Sequence, residues 1–420
     1  VAEHCVSARP AYEGADLDAT RRLKVLVLSR SYPNNILSFL GLWVEGLARS
    51  SSHFCELKVI SPVPYCPPLV GFQNYRHFRS IERRRCAEGV EVLYPRFLVP
   101  PGYKLHGWES LTYYASAVRT VDRLRGKFPF DLIHAHFSYP DGWVAARLGR
   151  RYGVPIVITE HAPWKPWMDN YPRVLKQATW AFNECAFHVG VSALVRDEVK
   201  CFVGDSEKLR VIPCGVDGSV FTLSHEPRES KKQILFAGAI RPTKGVDVLL
   251  QAMRILVQRG SHETLVIVGE SYYQSYQMEY NRIRQMAADL GLQDTVQFVG
   301  GKSQAELARY MHRSSLLVLP SRKESLGMVL AESLACGTPV VATRCGGPED
   351  IVTDQVGVLV EPENPLALAD GIERALNRPG GFDPIALRNY ALDKFSWERI
   401  SKQYLELYGQ AVARQNQNNA

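Results

Sequence analysis

LLVLPSRKESLGMVLAESLACGTPVVATRCGG, residues 316 to 347, reads as strand, loop, helix and strand. Leu316 to Pro320 is a short apolar run, Gly337 and Pro339 stand where a helix should stop, and Val340 to Thr343 is a second apolar run. Leu326, Val329, Leu330, Ser333 and Leu334 follow the spacing of a buried helical stripe, whereas Glu332 falls on its flank, at about 100° per residue. Glu324 lies just ahead of the helix, at the carboxyl end of a strand, where open α/β sheets bind ligands.

Backbone N–H groups expected at Leu326, Gly327 and Met328 are first-turn donors with the positive end of a helix dipole behind them, which suits a phosphate. One carboxylate outside the helix and one inside it suit hydroxyls on either side of that phosphate. Ribose, diphosphate and hexose follow one another in this way in a nucleotide sugar. By position alone, Glu324 and Glu332 equally suit the complementing of a helix dipole. The surrounding string is more specific. ESLGMVLAE, with the following ACGTPVVAT and CGGPEDIV, resembles the retaining glycosyltransferases of family four, whose mark is two glutamates in the form E-x-F/L-G-x-x-x-x-E.

Size and composition frame what that resemblance implies. A chain of 420 residues exceeds the roughly 250 to 300 at which single cores stop growing, so two domains are expected. With 46% hydrophobic and 22% charged residues it has the composition of a soluble globular protein, and nothing reaches the ~18 consecutive apolar residues of a membrane span. The first 22 residues are polar, lack the apolar core of a signal peptide and read as a loose tail. Nine cysteines stand singly with no C-x-x-C pair, which suits a reducing compartment, the cytoplasm being the simplest.

Lysines and arginines exceed acids by seven, and several of the arginines lie close together. Arg76, Arg79, Arg83, Arg84, Arg85 and Arg96 lie among Phe72, Tyr75, Phe78, Tyr94 and Phe97. Basic residues interleaved with aromatics suit an anionic membrane surface, nucleic acid or an acidic saccharide, and a solvated face over buried aromatics fits them as well. Of these partners, peripheral contact with the inner face of a membrane is retained as the expectation and nucleic acid is not.

Lys24 to Ser29 is a buried strand, followed by a loop from Arg30 to Gly41 and the helical run LWVEGLARSS. Relatives in the resembled family commonly carry paired glycines in that loop; here Ser31, Tyr32, Pro33, Asn34 and Asn35 occupy it, and Tyr32 and Asn34 are the acceptor-side candidates. Residues 61 to 108 form a Pro- and aromatic-rich stretch in which only VEVLY reads as a strand, and it is a candidate acceptor surface. Regularity returns with a strand at 131–135, a helix from about Asp141 to Tyr152 stopped by Gly153, and a strand at 155–159. His134 and His136 share one side of the first of these strands. His136 and His161 both lie just past strand ends. The segment TEH resembles the family's T-x-H, which implies that His161 approaches the donor sugar, with His136 a second candidate on the acceptor side. Trp164 and Trp167 follow, with indole faces suited to stacking on sugars, to a membrane interface or to simple loop packing.

FHVGV and LRVIP are two further strands, and PCGVDGSVF resembles the segment that marks passage to the second domain, with the polar run from Ser224 to Lys232 as linker. The second half opens on QILFAGAIRPTKG. Arg241 and Lys244 stand at its strand-to-helix turn, where they suit either a diphosphate or solvent. In the family, the matching G-x-x-x-x-x-K-G, here Gly238 to Gly245, implies that both cations meet the donor diphosphate. Gly269, closing TLVIVG, lets a ligand approach the main chain, and the loop after TVQFVG resembles the one that reads the nucleotide base.

Strands alternating with helices through both halves give an α/β class with two Rossmann-like parallel-sheet domains. The resemblance covers nearly the whole chain, is strongest from 234 to 361, and implies the GT-B arrangement, two domains facing a cleft. The expected organisation is a tail over 1–22, an acceptor-binding domain over 23–222, a nucleotide-sugar-binding domain over 223–390, and a C-terminal helix over 391–420. Trp397, Ile400, Tyr404, Leu405 and Tyr408 give that helix an apolar side with which to cross back to the first domain.

The implied activity is retaining transfer of a hexosyl group from a nucleoside diphosphate sugar to a hydroxyl of a saccharide, lipid-linked or small-molecule acceptor, in polysaccharide or glycoconjugate biosynthesis. His161, Glu324, Arg241 and Lys244 are the catalytic candidates. Gly238, Gly269, Ser325, Leu326, Gly327, Met328 and Glu332 join the last three on the donor. There is no G-x-x-x-x-G-K-S/T loop, no G-x-G-x-x-G turn after the first strand and no H-E-x-x-H pair, and the one D-x-D is Asp16 to Asp18, in the tail. No metal and no cofactor are therefore expected. A nucleotide-sugar epimerase or a phosphorylase on the same architecture, and a non-catalytic saccharide-binding subunit, are the rival readings.

Overall fold

Short apolar runs alternating with helical periods build two mainly parallel sheets. The structure is a computed structural model and describes residues 21–65, 67, 73–99, 107–163, 170–224, 233–270 and 274–419. The expected tail up to residue 20, the linker over 225–232, Phe72, Trp164 and Trp167 lie outside the described residues. The chain divides into two compact units, one of Val1–Val189, Val199–Arg210 and Ser401–Ala420, the other of Gly190–Glu198 and Val211–Ile400.

The first unit carries β1 (Lys24–Leu28), β2 (Glu56–Ile60), β3 (Val63–Tyr65), β4 (Arg84–Ala87), β5 (Val90–Leu93), β6 (Arg96–Leu98), β7 (Leu132–His136), β8 (Ile156–Glu160), β9 (Phe187–Gly190) and β10 (Leu209–Val211). Eight of them form one sheet in the order β10-β9-β8-β7-β1-β2-β5-β4. From β8 to β5 the pairings are parallel, and β4 is antiparallel to β5. A parallel sheet is covered on both faces, which is why its strands read as continuous apolar runs. Leu26, Leu28, Ile133, Ile156 and Ile158 pack with Tyr113 and Val121 of α2 (Glu109–Arg125) and Val144 and Leu148 of α3 (Trp143–Tyr152), whereas α1 (Leu42–Ser51) follows β1 and α4 (Pro172–Glu184) precedes β9. Because β1 lies between β2 and β7, chain order reverses there, the position at which open α/β sheets bind ligands at the carboxyl ends of their strands.

The described part of residues 61–108 is more regular than its composition predicts. Besides β5 it contains β3, β4 and β6, with β3 pairing β6 in parallel. Glu88 and Gly89, both at positive φ (51° and 81°), make the two-residue turn that joins β4 to β5. Tyr94 and Phe97 are core residues, Arg84 pairs with Glu91 at 2.7 Å, Arg85 faces Glu45 at 3.5 Å, and Arg96 donates to the Tyr94 carbonyl at 3.1 Å. Among the described residues, folding thus separates Tyr94 and Phe97, which go inward, from Arg76, Arg79 and Arg83, which stay exposed.

The second unit carries β11 (Gln233–Ala237), β12 (Thr264–Val268), β13 (Val296–Gly300), β14 (Leu316–Leu319), β15 (Val340–Thr343) and β16 (Gly357–Val360) in the order β13-β12-β11-β14-β15-β16, all parallel. Its helices are α5 (Ala193–Val199), α6 (Val246–Gln258), α7 (Gln274–Asp289), α8 (Gln304–Arg313), α9 (Met328–Ala335), α10 (Pro348–Ile351), α11 (Pro365–Leu376) and α12 (Pro384–Phe395). Local chemistry starts several of them. A capping box between Ser303 and Glu306 opens α8, and Pro at the first position opens α10, α11 and α12. β11 lies between β12 and β14, so the reversal of strand order falls between β11 and β14.

The last helix, α13 (Trp397–Asn419), buries Ile400, Tyr404, Leu407, Tyr408 and Ala411, a stripe at helical spacing in which Leu407 takes the place expected for Leu405. From Ser401 onward it belongs to the first unit, where Ser401 meets Ser51 and Tyr404 meets Thr159.

Candidate functional site

The switch point between β11 and β14 brings together two loops that are some eighty residues apart in sequence. After β11 the chain makes a three-residue turn, Pro242 to Lys244, and enters α6 through Gly245. Gly245 is left-handed (φ 64°), and a Cβ there would lie 2.0 Å from the Pro320 carbonyl oxygen at the end of β14. Only glycine permits that approach, and it sets Lys244 beside the loop carrying Glu324. Next door, Gly238 and Gly269 end β11 and β12 with their backbones in contact.

Glu324 is buried, and its backbone is stitched to the segment after β15: its N–H donates to the Cys345 carbonyl at 3.3 Å and its carbonyl accepts from Gly347 at 2.9 Å. The Glu324 carboxylate accepts from the Ser321 hydroxyl at 3.2 Å and forms an ion pair with Lys244. The lysine expected on a diphosphate and the glutamate expected on sugar hydroxyls are thus each other's partners. Arg241 is half-buried in the same turn.

The helix after Glu324 begins later than its sequence suggests. Gly327 is its left-handed N-cap (φ 84°, ψ 54°) and Met328 its first residue. Leu326 and Gly327 therefore precede the first turn, whose N–H groups belong to Met328, Val329 and Leu330; the Leu330 N–H turns back to the Gly327 carbonyl at 2.8 Å. Leu326 is in the core, and Ser325 and Met328 are half-buried. Glu332 lies on the flank of α9. Among the described residues its carboxyl has no hydrogen-bond or ion-pair partner, and burial pushes it up to about 7.

In the first unit, His136 Nδ1 and His161 Nε2 are 2.8 Å apart, one donating and the other accepting. The His134 and His136 rings lie 4.3 Å apart on one side of β7, as their alternation requires. His134 is bonded at both nitrogens, to the Thr159 hydroxyl at 2.8 Å and to the Tyr408 hydroxyl of α13 at 2.7 Å. Burial holds all three imidazoles below their ordinary range, His134 and His161 down to about 3, so they are neutral.

The loop after β1 closes without paired glycines. Asn34 Oδ1 accepts from the backbone of Ile36 (3.0 Å) and Leu37 (2.9 Å), Tyr94 donates to the Pro33 carbonyl at 2.5 Å, and Gly41 at φ 74° stands where a Cβ would meet the Ser31 carbonyl at 2.0 Å. Tyr32 and Asn34 are accordingly buried (2% and 6% exposed) and serve the shape of the loop.

Three groups were not singled out from sequence. Asp141, at the turn into α3, accepts from the Arg30 N–H at 2.8 Å and the Tyr113 hydroxyl at 3.0 Å, and burial pushes it up to about 7. Glu160 accepts from the Ser138 N–H (3.0 Å) and hydroxyl (2.6 Å). Trp43 stands 5.9 Å from His161, ring to ring, with its indole N–H buried and unpartnered. The signal was local for Asp141, within S-Y-P-D-G after a strand; Trp43 carried none. Among the described residues no three His, Cys, Asp or Glu side chains converge as a metal ion would need, and no helix is long and apolar enough to cross a membrane.

Two Rossmann-like parallel-sheet domains, with a pair of glutamates and a lysine at the switch point of the second, define a GT-B glycosyltransferase. The chain belongs to this class: residues 223–391 match the glycosyl transferases group 1 family and residues 54–219 match glycosyltransferase family 4. Among its relatives are the D-inositol 3-phosphate glycosyltransferases of Frankia alni, 30% identical over 68% of this chain and 75% of that one, and of an Arthrobacter species, 31% identical over 71% and 75%. Two solved structures share the fold. Sucrose-phosphate synthase of Thermosynechococcus elongatus has a TM-score of 0.76 at 21% identity, covering 94% of this chain and 100% of that one. The Anabaena protein HepE, in complex with UDP-glucose, has a TM-score of 0.69 at 20% identity, covering 92% and 99%.

Proposed function

We propose that the protein transfers a hexosyl group from a nucleoside diphosphate sugar to a hydroxyl with retention at the anomeric carbon and without a metal ion. The observation that carries this reading is the Lys244–Glu324 pair at the β11/β14 switch point, with the unpartnered Glu332 on the helix that follows. A diphosphate placed before α9 takes Lys244 and Arg241 as counter-charges, aided by the N–H groups of the first turn, and these supply the charge stabilisation that a metal would otherwise bring. Glu324, released from Lys244, accepts from hydroxyls of the donor sugar, and Glu332 accepts from the ribose. His161, neutral, is assigned a hydrogen bond to the sugar. The bond from the anomeric carbon to the phosphate oxygen breaks as the bond to the acceptor oxygen forms on the same face. The acceptor's proton passes to the departing phosphate oxygen.

The acceptor is a saccharide, lipid-linked or small hydroxyl compound, and the relatives named for D-inositol 3-phosphate make a phosphorylated cyclitol the first small molecule to try. Seven described cysteines are free, which supports a cytoplasmic setting, with peripheral membrane contact resting on the exposed arginines Arg76, Arg79 and Arg83. Proton NMR of the purified protein in chelator, with UDP-, GDP- and ADP-hexoses in turn and no acceptor, tests the reaction type. Slow release of an α-configured free sugar from one donor supports the proposal. An epimerised nucleotide sugar would replace it with an epimerase, and silence from every donor, persisting when a cyclitol phosphate or sugar acceptor is added, would leave a saccharide-binding protein.

A further inference from the structure

Arg322 stands two residues ahead of Glu324 and makes more contacts than the donor site alone requires. Its backbone N–H donates to the Thr243 carbonyl at 2.8 Å, and its Nη1 donates to the Pro242 carbonyl at 2.6 Å. Nη1 and Nη2 fork onto the two oxygens of Asp247 at 3.0 and 3.1 Å, and Nε reaches Glu363 at 3.0 Å. One side chain therefore ties the turn that carries Lys244 to the first turn of α6 and to the loop that carries Glu324. Burial raises the Asp247 carboxyl, but the hydrogen bond and charge of Arg322, with the Val248 N–H and the Arg282 charge, hold it below its usual range. The turn it grips is short, three residues with no side-chain cap, and exposes Pro242 and Thr243. Lysine cannot substitute, because a single ammonium cannot fork onto a carboxylate while also meeting a carbonyl and a second carboxylate.

We infer that Arg322 is a positioning residue of the donor site, clamping the Lys244 turn to the Glu324 loop so that the ammonium is held where the outer phosphate of the donor lies. The inference rests on the nucleoside-diphosphate reading given above. Arg322 touches no substrate in this account and acts through Lys244.

Calorimetric titration separates this role from a general structural one. Wild type, R322K, K244A and R322K/K244A are titrated with UDP, GDP and ADP, and with the matching monophosphates. One diphosphate is expected to bind the wild type, and R322K is expected to weaken it about tenfold while leaving the monophosphate within about twofold. In the K244A background R322K should cost nothing further, because the lysine it positions is gone. Additive losses in the double variant, or equal losses of mono- and diphosphate, overturn the clamp. D247N opens the fork from its other side and should reproduce R322K; it carries the test if R322K is unfolded by circular dichroism. Failure of folded wild type to bind any of the diphosphates overturns the site reading itself, and the clamp with it.

Discussion

Replacing Lys244 with Ala should damage stability and catalysis by separate routes, and a second substitution should pull them apart. The Glu324 side chain is 9% exposed and that of Lys244 24%. Removing the ammonium leaves a carboxylate shielded from water with the Ser321 hydroxyl at 3.2 Å as its remaining side-chain donor. Breaking a fully buried pair costs about 3–5 kcal/mol. A lysine that is a quarter exposed is partly screened, so about 1–2 kcal/mol is the expected loss here. The catalytic loss is larger: a group that stabilises departing phosphate contributes about 3 kcal/mol, or roughly 100-fold in turnover. Adding E324Q removes the unpaired charge, so K244A/E324Q should regain most of the lost stability while turnover stays at least ~100-fold down. Urea unfolding gives the first quantity and release of nucleoside diphosphate the second. The reasoning is refuted if K244A turns over within about threefold of wild type, or if K244A costs the same stability with and without E324Q.

Three further substitutions test other parts of the account. The half-buried Glu332 carboxyl, at about 7 rather than its ordinary 4.5, favours the protonated form in the folded state, so its contribution to stability is full below 4.5 and is lost as pH rises through 7. E332Q should therefore be more stable than wild type at pH 8 by on the order of 2 kcal/mol and equal to it at pH 4; a urea midpoint shifted equally at both would contradict the burial argument. G245A forces a side chain into a left-handed residue and against the Pro320 carbonyl, and should cost about 1–3 kcal/mol and weaken nucleoside diphosphate binding with it; unaltered melting and binding would show that the two loops do not depend on this contact. Y408F leaves His134 Nδ1 buried without its partner, at an expected cost of about 1–3 kcal/mol by chemical denaturation, and no change would mean that the hydroxyl of α13 does not hold the histidine cluster.

Much of the fold was legible because buried parallel strands write themselves as apolar runs. Leu316 to Leu319 and Val340 to Val341 are read from sequence and lie fully within the core. The glycines and prolines between them mark the turns. Elements of the 61–108 stretch were hidden for the opposite reason: β3 and β6 are three residues long, and β4 is an Arg-rich edge strand whose pairing is declared by an Glu-Gly turn rather than by apolar periodicity. At the site, the positions of Glu324 and Lys244 could be placed at strand ends, but their pairing depends on Gly245 meeting Pro320 across the sheet, a contact with no local signature. The start of α9 was misplaced by two residues because Gly327 continues an apolar period while its backbone is left-handed. Tyr32 and Asn34 looked available because polar loop residues usually face solvent; here Asn34 caps its own turn and draws the loop inward. The histidine cluster shows the same limit, since Thr159 and Tyr408 reach His134 from β8 and α13.

The most direct test of the central claim is a crystal structure of the protein with the nucleoside diphosphate that calorimetry selects. The account predicts the diphosphate ahead of Met328, the Lys244 ammonium moved from Glu324 onto a phosphate oxygen, and the Glu332 carboxylate on the ribose hydroxyls. A nucleotide bound elsewhere, or one bound there with Lys244 still paired to Glu324, would contradict it.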